Sequence, residues 1–269
     1  MNNNNVGMIG AGNMGEALIR GLKKQNKFNI YVTESNLNRL KQIVQKYKVK
    51  KIELEQLTNL CKIIIICVKP QDLDSVMSKL ESEVNSQQTV ISIVAGVSTK
   101  FIEKSLKSKP AVIRVMPNMP GMIGAGISGY CSGKYVKANT AKLVHSIFSG
   151  LGKVVKVQES KMNAITAVSG SGPGFYAYIT DAMIEAGQKS GLSKNEAKLF
   201  AVTAMVGTGS LLAMESALTP SEYVKKVASK GGTTEAGLKI FKKTKLKEIV
   251  KKVIKAATKK AKELNREKR

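Results

Sequence analysis

Residues 63–68 read IIIICV, six apolar side chains in succession. A strand turns alternate side chains to opposite faces, so one that is apolar at every position has to be covered by protein on both sides. Residues 89–94 and 112–116 have the same character, and 6–9 and 30–33 are shorter apolar strands ahead of them. Between them the spacing turns helical, with Ala17, Leu18 and Leu22 in one segment and Leu40, Ile43 and Val44 in another. Strands alternating with helices predict an open parallel sheet with right-handed crossovers. The alternation ends after a strand at 154–157. Beyond it Ser193-x-x-Glu196 and Thr219-x-x-Glu222 are capping boxes, the second with Pro220 at the first helical position, and no convincing strand follows. From 197 to 218 the apolar residues run almost all the way round the expected helix, which implies a subunit interface.

At 269 residues and 43% hydrophobic content the chain can bury a real core. Cys61, Cys67 and Cys131 have neither C-x-x-C spacing nor a histidine cluster beside them, which argues against a disulfide framework and against zinc; no metal is expected. The start, MNNNNVGMIG, lacks a basic region followed by an apolar core and a cleavage site, and 63–68, read as the longest apolar run, is too short to span a bilayer. A cytoplasmic protein with no membrane partner is expected. The formal charge of +25 invites a nucleic-acid reading, and residues 239–269 alone hold 14 basic and 3 acidic side chains. Yet Leu246, Ile249, Val250, Val253, Ile254 and Ala257 recur there at helical spacing, and no aromatic residue lies among the lysines from Leu246 on. The lysines read as the wet side of an amphipathic helix, and nucleic acid is not an expected partner.

Three glycine segments stand out. Gly10-x-Gly12-x-x-Gly15 follows the first strand and opens the first helix, the context in which this pattern marks a dinucleotide site. The first glycine permits a tight turn, the second lets the backbone approach a pyrophosphate, and the third lets helix pack on strand. Gly10, Ala11, Gly12, Asn13, Met14 and Gly15 are therefore candidate cofactor residues. The expected fold is α/β: an N-terminal Rossmann-type parallel-sheet domain over 1–158, then an all-helical dimerisation domain over 159–269. Glu34 ends the second strand, where a carboxylate accepts from both ribose hydroxyls of NAD and repels the 2′-phosphate of NADP. Ser35, Asn36 and Arg39 follow and can hold a phosphate, so NADPH or NADH stays open with a slight lean to NADH. Cys67, Val68, Lys69 and Pro70 close the central strand at its carboxyl end, where ligands of open sheets bind, and Ala95 and Gly96 end the next strand in the same way. The second segment, SGSGPG at 169–174, interrupts what otherwise reads as a long apolar helix. Interior glycine costs a helix about 1 kcal/mol and proline about 3, so the run points to a ligand close to the backbone. In the third, Gly231-Gly232-Thr233-Thr234 precedes a helix, and bare amides and hydroxyls at a helix start form an anion site suited to a substrate carboxylate.

In order and spacing, GMIGAGNMG at 7–15, CVKP at 67–70, VMPNMP at 115–120, TAVSGSGPGF at 166–175 and SKGGTT at 229–234 resemble pyrroline-5-carboxylate reductase, the last enzyme of proline biosynthesis, over nearly the whole chain. The resemblance implies hydride transfer from NADPH or NADH to the cyclic imine 1-pyrroline-5-carboxylate, giving L-proline. It implies an intertwined dimer, leaving a higher oligomer such as a decamer open, with the active site where subunits and domains meet. Cofactor contacts would fall on Gly10, Ala11, Gly12, Asn13 and Met14, on Cys67, Val68, Lys69 and Pro70, and on Ala95 and Gly96. Substrate contacts would fall on Glu159, Val227, Ser229, Thr233 and Thr234, joined by Gly232 of the anion site. Thr234 is the candidate catalytic residue, donating a hydrogen bond on the ring-nitrogen side. The chain departs from the family pattern at Lys230, where proline is usual, at Asn163 for aspartate, Met119 for threonine and Gly174 for alanine. Glu34 replaces the small or basic residue of many NADPH-preferring members.

A protonated imine is already an electrophile, so such a site needs positioning more than a strong acid, and aligning two bound reactants supplies about 7–11 kcal/mol of a barrier. His145, the sole histidine, lies among Val144, Ile147, Phe148 and Leu151 and reads as a boundary residue rather than a catalyst. A β-hydroxyacid dehydrogenase would share the domain plan but uses a lysine shortly after its glycine segment, and residues 174–185 hold none. A dinucleotide sensor or nucleic-acid-binding protein without turnover is the other rival, and the intact SGSGPG and GGTT segments argue against it.

Overall fold

A computed structural model of the chain describes residues 2–137, 140–214 and 218–264. The chain forms two compact units, Met1–Ser171 with Ala256–Arg269, and Gly172–Lys255. In the first, β1 (Asn2–Ile9), β2 (Asn29–Thr33), β3 (Lys50–Lys51), β4 (Cys61–Ile66), β5 (Thr89–Ser92), β6 (Ala111–Met116), β7 (Gly126–Ser132) and β8 (Gly152–Lys156) form one sheet in the order β3-β2-β1-β4-β5-β6-β7-β8. Helices α1 (Asn13–Gln25), α2 (Leu37–Tyr47), α3 (Leu54–Leu60), α4 (Leu73–Leu80), α5 (Thr99–Ser105) and α6 (Thr140–Phe148) connect the strands.

The isoleucines of β4 divide as the pleat requires. Ile63 and Ile65 join Val6, Leu18, Ile113 and Phe148 in one buried cluster, while Ile64 and Ile66 join Leu57, Leu73, Val90 and Val112 in another. Each cluster fills one side of the sheet, so both faces of β4 are covered.

The sheet departs from the expected parallel pattern at one place: β7 runs antiparallel to β6, Val115 opposite Tyr130, and β8 then pairs parallel with β7. Only residues 117–125 link β6 to β7, and a parallel crossover needs a dozen or more residues, so the chain has to double back. Gly126 and Gly129 conceal this strand in the sequence. Gly129 has a packing reason, since a Cβ there would lie 3.3 Å from Cγ2 of Ile165.

After β8, α7 (Met162–Ile165) passes into a π-helical turn, Thr166–Gly170, closed by the Ser171 N–H donating to the Thr166 carbonyl at 2.8 Å. Met162 and Ala167 are fully buried, and the first unit accordingly extends to Ser171. The second unit holds α8 (Gly172–Lys189), α9 (Lys194–Met214), α10 (Pro220–Val227) and α11 (Thr233–Lys243), and α12 (Leu246–Glu263) carries the chain back to the first unit from Ala256. Both capping boxes form: Glu196 accepts from the Ser193 N–H, and Glu222 from the Thr219 N–H, each at 2.8 Å.

Within α9 only Ala197 and Ala201 are buried, whereas Leu199, Phe200, Val206 and Met214 are each more than half exposed. Residues 215–217 of the expected apolar helix lie outside the described residues, as do 265–269 of the basic tail. With a mean hydropathy of 1.5, α9 is long and apolar enough to cross a membrane. Residues 63–68 are still too short to span a bilayer; scattered threonines and glycines break the apolar run of α9 without making that helix polar.

Candidate active site

Between β1 and α1 each glycine answers a different need. Gly10 has φ +95°, and a Cβ there would lie 2.9 Å from the Cys67 carbonyl oxygen. A Cβ on Gly15 would lie 2.6 Å from the Gly10 carbonyl oxygen. A Cβ on Gly12 meets nothing within 4 Å. The protein's own packing thus explains two of the three glycines, and the open side of Gly12 suits the close approach of a pyrophosphate. Gly12 also caps α1 without a side chain, which leaves the first amides of the helix for an anion. Beneath the turn, the Cys67 N–H donates to the Ile9 carbonyl at 2.8 Å, and burial pushes the Cys67 thiol up, so this cysteine packs rather than reacts. Lys69 caps the 3-10 turn Pro70–Asp72, with Val68 beside Gly10. Gly96, just after Ala95, has φ +70° and lies against Leu264 of the C-terminal segment. These groups follow the carboxyl ends of β1, β4 and β5, adjacent strands at the point where the chain order reverses.

Glu34 turns its carboxylate onto the same turn. Oε2 accepts from the Ala11 N–H at 2.7 Å, and Oε1 from the Asn36 N–H at 3.0 Å and the Ser35 hydroxyl at 3.3 Å. Arg39 holds the other end of Ala11, Nε donating to its carbonyl at 2.9 Å, while Nη2 pairs with Glu16. Glu16 also takes Lys46 Nζ at 2.9 Å and the Tyr47 hydroxyl at 2.7 Å. Burial works to raise the Glu16 pKa, but its bonds to Lys46, Tyr47 and Arg39 outweigh that and bring it down to about 2.

In the second unit, α10 ends at Val227 and residues 228–232 turn into α11. Gly231 has φ +77°, and the Gly232 N–H donates to the Ser229 carbonyl at 3.0 Å. Gly232 caps α11 without a side chain, and Thr233 and Thr234 are its first two residues. Val227, Ser229, Gly232, Thr233 and Thr234 therefore meet in one solvent-facing turn. Glu235 reaches back to accept from the Gly231 N–H at 2.7 Å, fixing the entry to the helix. The amides of the first turn, with two hydroxyls beside them, offer donors and positive potential to a small carboxylate.

Residues 159–264 match the family model for pyrroline-5-carboxylate reductase dimerisation, and residues 5–96 match that for NADP oxidoreductase, coenzyme F420-dependent. A pyrroline-5-carboxylate reductase of Bacillus subtilis is 35% identical over 97% of this chain and 89% of its own length. The chain belongs to the pyrroline-5-carboxylate reductase family. The structure of the reductase from Coxiella burnetii superposes with a TM-score of 0.88 at 31% identity, covering 98% of this chain and all of that one. The Plasmodium falciparum enzyme, solved with NADP bound, gives 0.86 at 29% identity over 98% and 99%.

One candidate substrate residue of this family member belongs to the first unit and the others to the second. Glu159 lies in the first unit, its Oε1 accepting from the Thr99 N–H at 2.9 Å and its Oε2 from the Thr99 hydroxyl at 2.6 Å. Arg114 Nη1 is 3.5 Å from Oε1; the arginine side chain is 3% exposed, and its Nη2 has no hydrogen-bond partner among the described residues. Glu159 thus balances a buried guanidinium and seats the start of α5, just after Ala95 and Gly96. The signal in the sequence was an arginine inside the apolar strand AVIRVM, which demands a carboxylate without saying which one. SGSGPG interrupts the helical course as expected, by ending one helix and starting another. Its first two residues belong to the π-helical turn and its last three to the first turn of α8, where proline costs no hydrogen bond. A Cβ on Gly174 meets nothing within 4 Å, so this backbone too is open to a neighbour. His145 packs edge-on against Tyr130 at 6.4 Å between ring centres.

Proposed function

We propose that this chain reduces 1-pyrroline-5-carboxylate to L-proline with NADPH or NADH, closing proline biosynthesis, as a cytoplasmic homodimer. The observation that carries the reading is the full-length likeness to reductases named for that substrate, 35% identical over 97% of the chain in the Bacillus subtilis case. In this reading residues 1–158 bind the dinucleotide and 159–269 bind substrate and the second subunit.

When bound, the reduced nicotinamide supplies the hydride. The Gly10–Gly15 turn takes the pyrophosphate on the open side of Gly12 and the first amides of α1, Glu34 and Ser35 meet the adenosine ribose, and residues 67–70 with Ala95 and Gly96 wall the crevice. The substrate carboxylate sits against the Gly232 backbone on the amides of Thr233 and Thr234 and the Thr233 hydroxyl, the Gly232 N–H being taken by the Ser229 carbonyl, with Ser229 beside it and Val227 against the ring. The Thr234 hydroxyl hydrogen-bonds on the ring-nitrogen side and holds the imine in orientation. Glu159 acts as a positioning residue, since its carboxylate is already bonded to Thr99 and Arg114. A second copy of the chain covers Leu199, Phe200 and Val206, exposed on this chain alone; the match of residues 159–264 to the dimerisation family model favours this interface over a bilayer as the partner of α9.

The test is the purified chain with 1-pyrroline-5-carboxylate and each nucleotide, following reduced-nicotinamide absorbance and L-proline by chromatography. Equal loss of nucleotide and gain of proline is expected; no turnover with either nucleotide would end the proposal.

A further inference from the structure

Glu34 and Arg39 grip Ala11 from opposite sides, the carboxylate on its N–H and the guanidinium on its C=O. Glu34 directly follows β2, where the second strand of such a sheet meets the adenosine ribose, and Arg39 lies in the first turn of the helix that follows. A 2′-phosphate there needs cationic or neutral donors, and the planar guanidinium is the best matched of them. This chain has the arginine, but it is committed: Nη2 to Glu16 and Nε to Ala11. Glu16, in the first turn of α1, has a side chain only 13% exposed and is fixed further by Lys46 and Tyr47, so it does not swing aside freely. The Ser35 hydroxyl and the Asn36 amide, the other donors suited to a phosphate, already serve Glu34. The charges of Glu16, Glu34, Arg39 and Lys46 cancel, so this corner gives a dianion no local attraction despite the net +25 of the chain.

We propose that Glu16 sets the nucleotide preference of this chain by withholding Arg39 from a 2′-phosphate, so that the site prefers NADH while the pair is intact. The inference rests on the dinucleotide reading of the glycine turn. Glu16 is a positioning residue in it, acting through Arg39.

Calorimetric titration of the full chain with 2′,5′-ADP and with 5′-AMP tests the idea without turnover. Glu16→Gln should strengthen 2′,5′-ADP relative to 5′-AMP by about tenfold, or about 1.4 kcal/mol, and the gain should vanish in Glu16→Gln/Arg39→Ala. The NADPH/NADH ratio of kcat/KM should move the same way, through KM. A gain that survives without Arg39 reports only the removal of a negative charge and overturns the proposal, as does an equal gain for both ligands. Should Glu16→Gln fail to fold, Glu16→Asp shortens the reach to Arg39 by one methylene and should shift the ratio in the same direction; no shift overturns it. If neither nucleotide binds the wild-type chain, the dinucleotide reading itself falls, a result distinct from an unaltered ratio.

Discussion

Replacing Glu159 with alanine leaves the Arg114 guanidinium in the interior without its carboxylate. The arginine sits on β6, flanked by β5 and β7, at 3% exposure, and its Nη2 is already without a partner among the described residues. Removing one member of a buried ion pair costs about 3–5 kcal/mol. The Glu159 side chain is 33% exposed and the pair is 3.5 Å long, so the lower end applies. Loss of the bond to the Thr99 N–H at the start of α5 adds about 1 kcal/mol. At about 2–4 °C per kcal/mol for a unit of this size, the melting temperature should fall by roughly 10 °C. Urea unfolding and thermal melts, run at one protein concentration because self-association feeds into both, measure it. Converting Arg114 to methionine in the same chain should restore much of the loss, since it removes the stranded charge while keeping volume. A cost below about 1 kcal/mol for Glu159→Ala, the level of an ordinary substitution, or a further loss on adding Arg114→Met, would refute the reasoning.

The glycines of the dinucleotide turn should separate folding from binding. Gly12→Val is expected to cost the fold little beyond a poorer helix cap, about 1 kcal/mol or less, and to weaken NADH at least about tenfold by fluorescence titration, because a Cβ there meets no protein atom within 4 Å and faces the pyrophosphate's approach. Gly15→Ala should instead destabilise the chain, its Cβ pressing on the Gly10 carbonyl; equal melts for the two variants would contradict this. Glu16, with its folded pKa down to about 2 from 4.5, stabilises the chain above the unfolded value and loses that contribution as pH falls from about 4.5 toward 2. Acid unfolding should therefore be shallower in Glu16→Gln, and superimposable curves would count against the cluster. Phe200→Asp should reduce the sedimenting mass of the assembly, since it puts a charge on the exposed apolar face of α9; an unaltered mass places the interface elsewhere.

The doubly covered sheet was legible in the letters of β4 because strand period and apolarity are local: alternate isoleucines must part to opposite faces wherever the strand lies. The glycine turn, the two capping boxes and the carboxyl-end positions of residues 67–70 and 95–96 were legible for the same reason, each being a demand that a short stretch makes on its own backbone. The direction of β7 was not, since its glycines mute the strand signal and its pairing follows from a short link to β6. Nor was the choice of ionic partners. Arg114, inside an apolar strand, announces a need for a carboxylate, and Arg39 reads from the sequence as a donor for a phosphate; several carboxylates were candidates for each, and spacing along a chain says nothing about which one arrives. Folding settled that by bringing Glu159 beneath β6 and Glu16 beside α2, because an ion pair is made in space by elements that are distant in sequence.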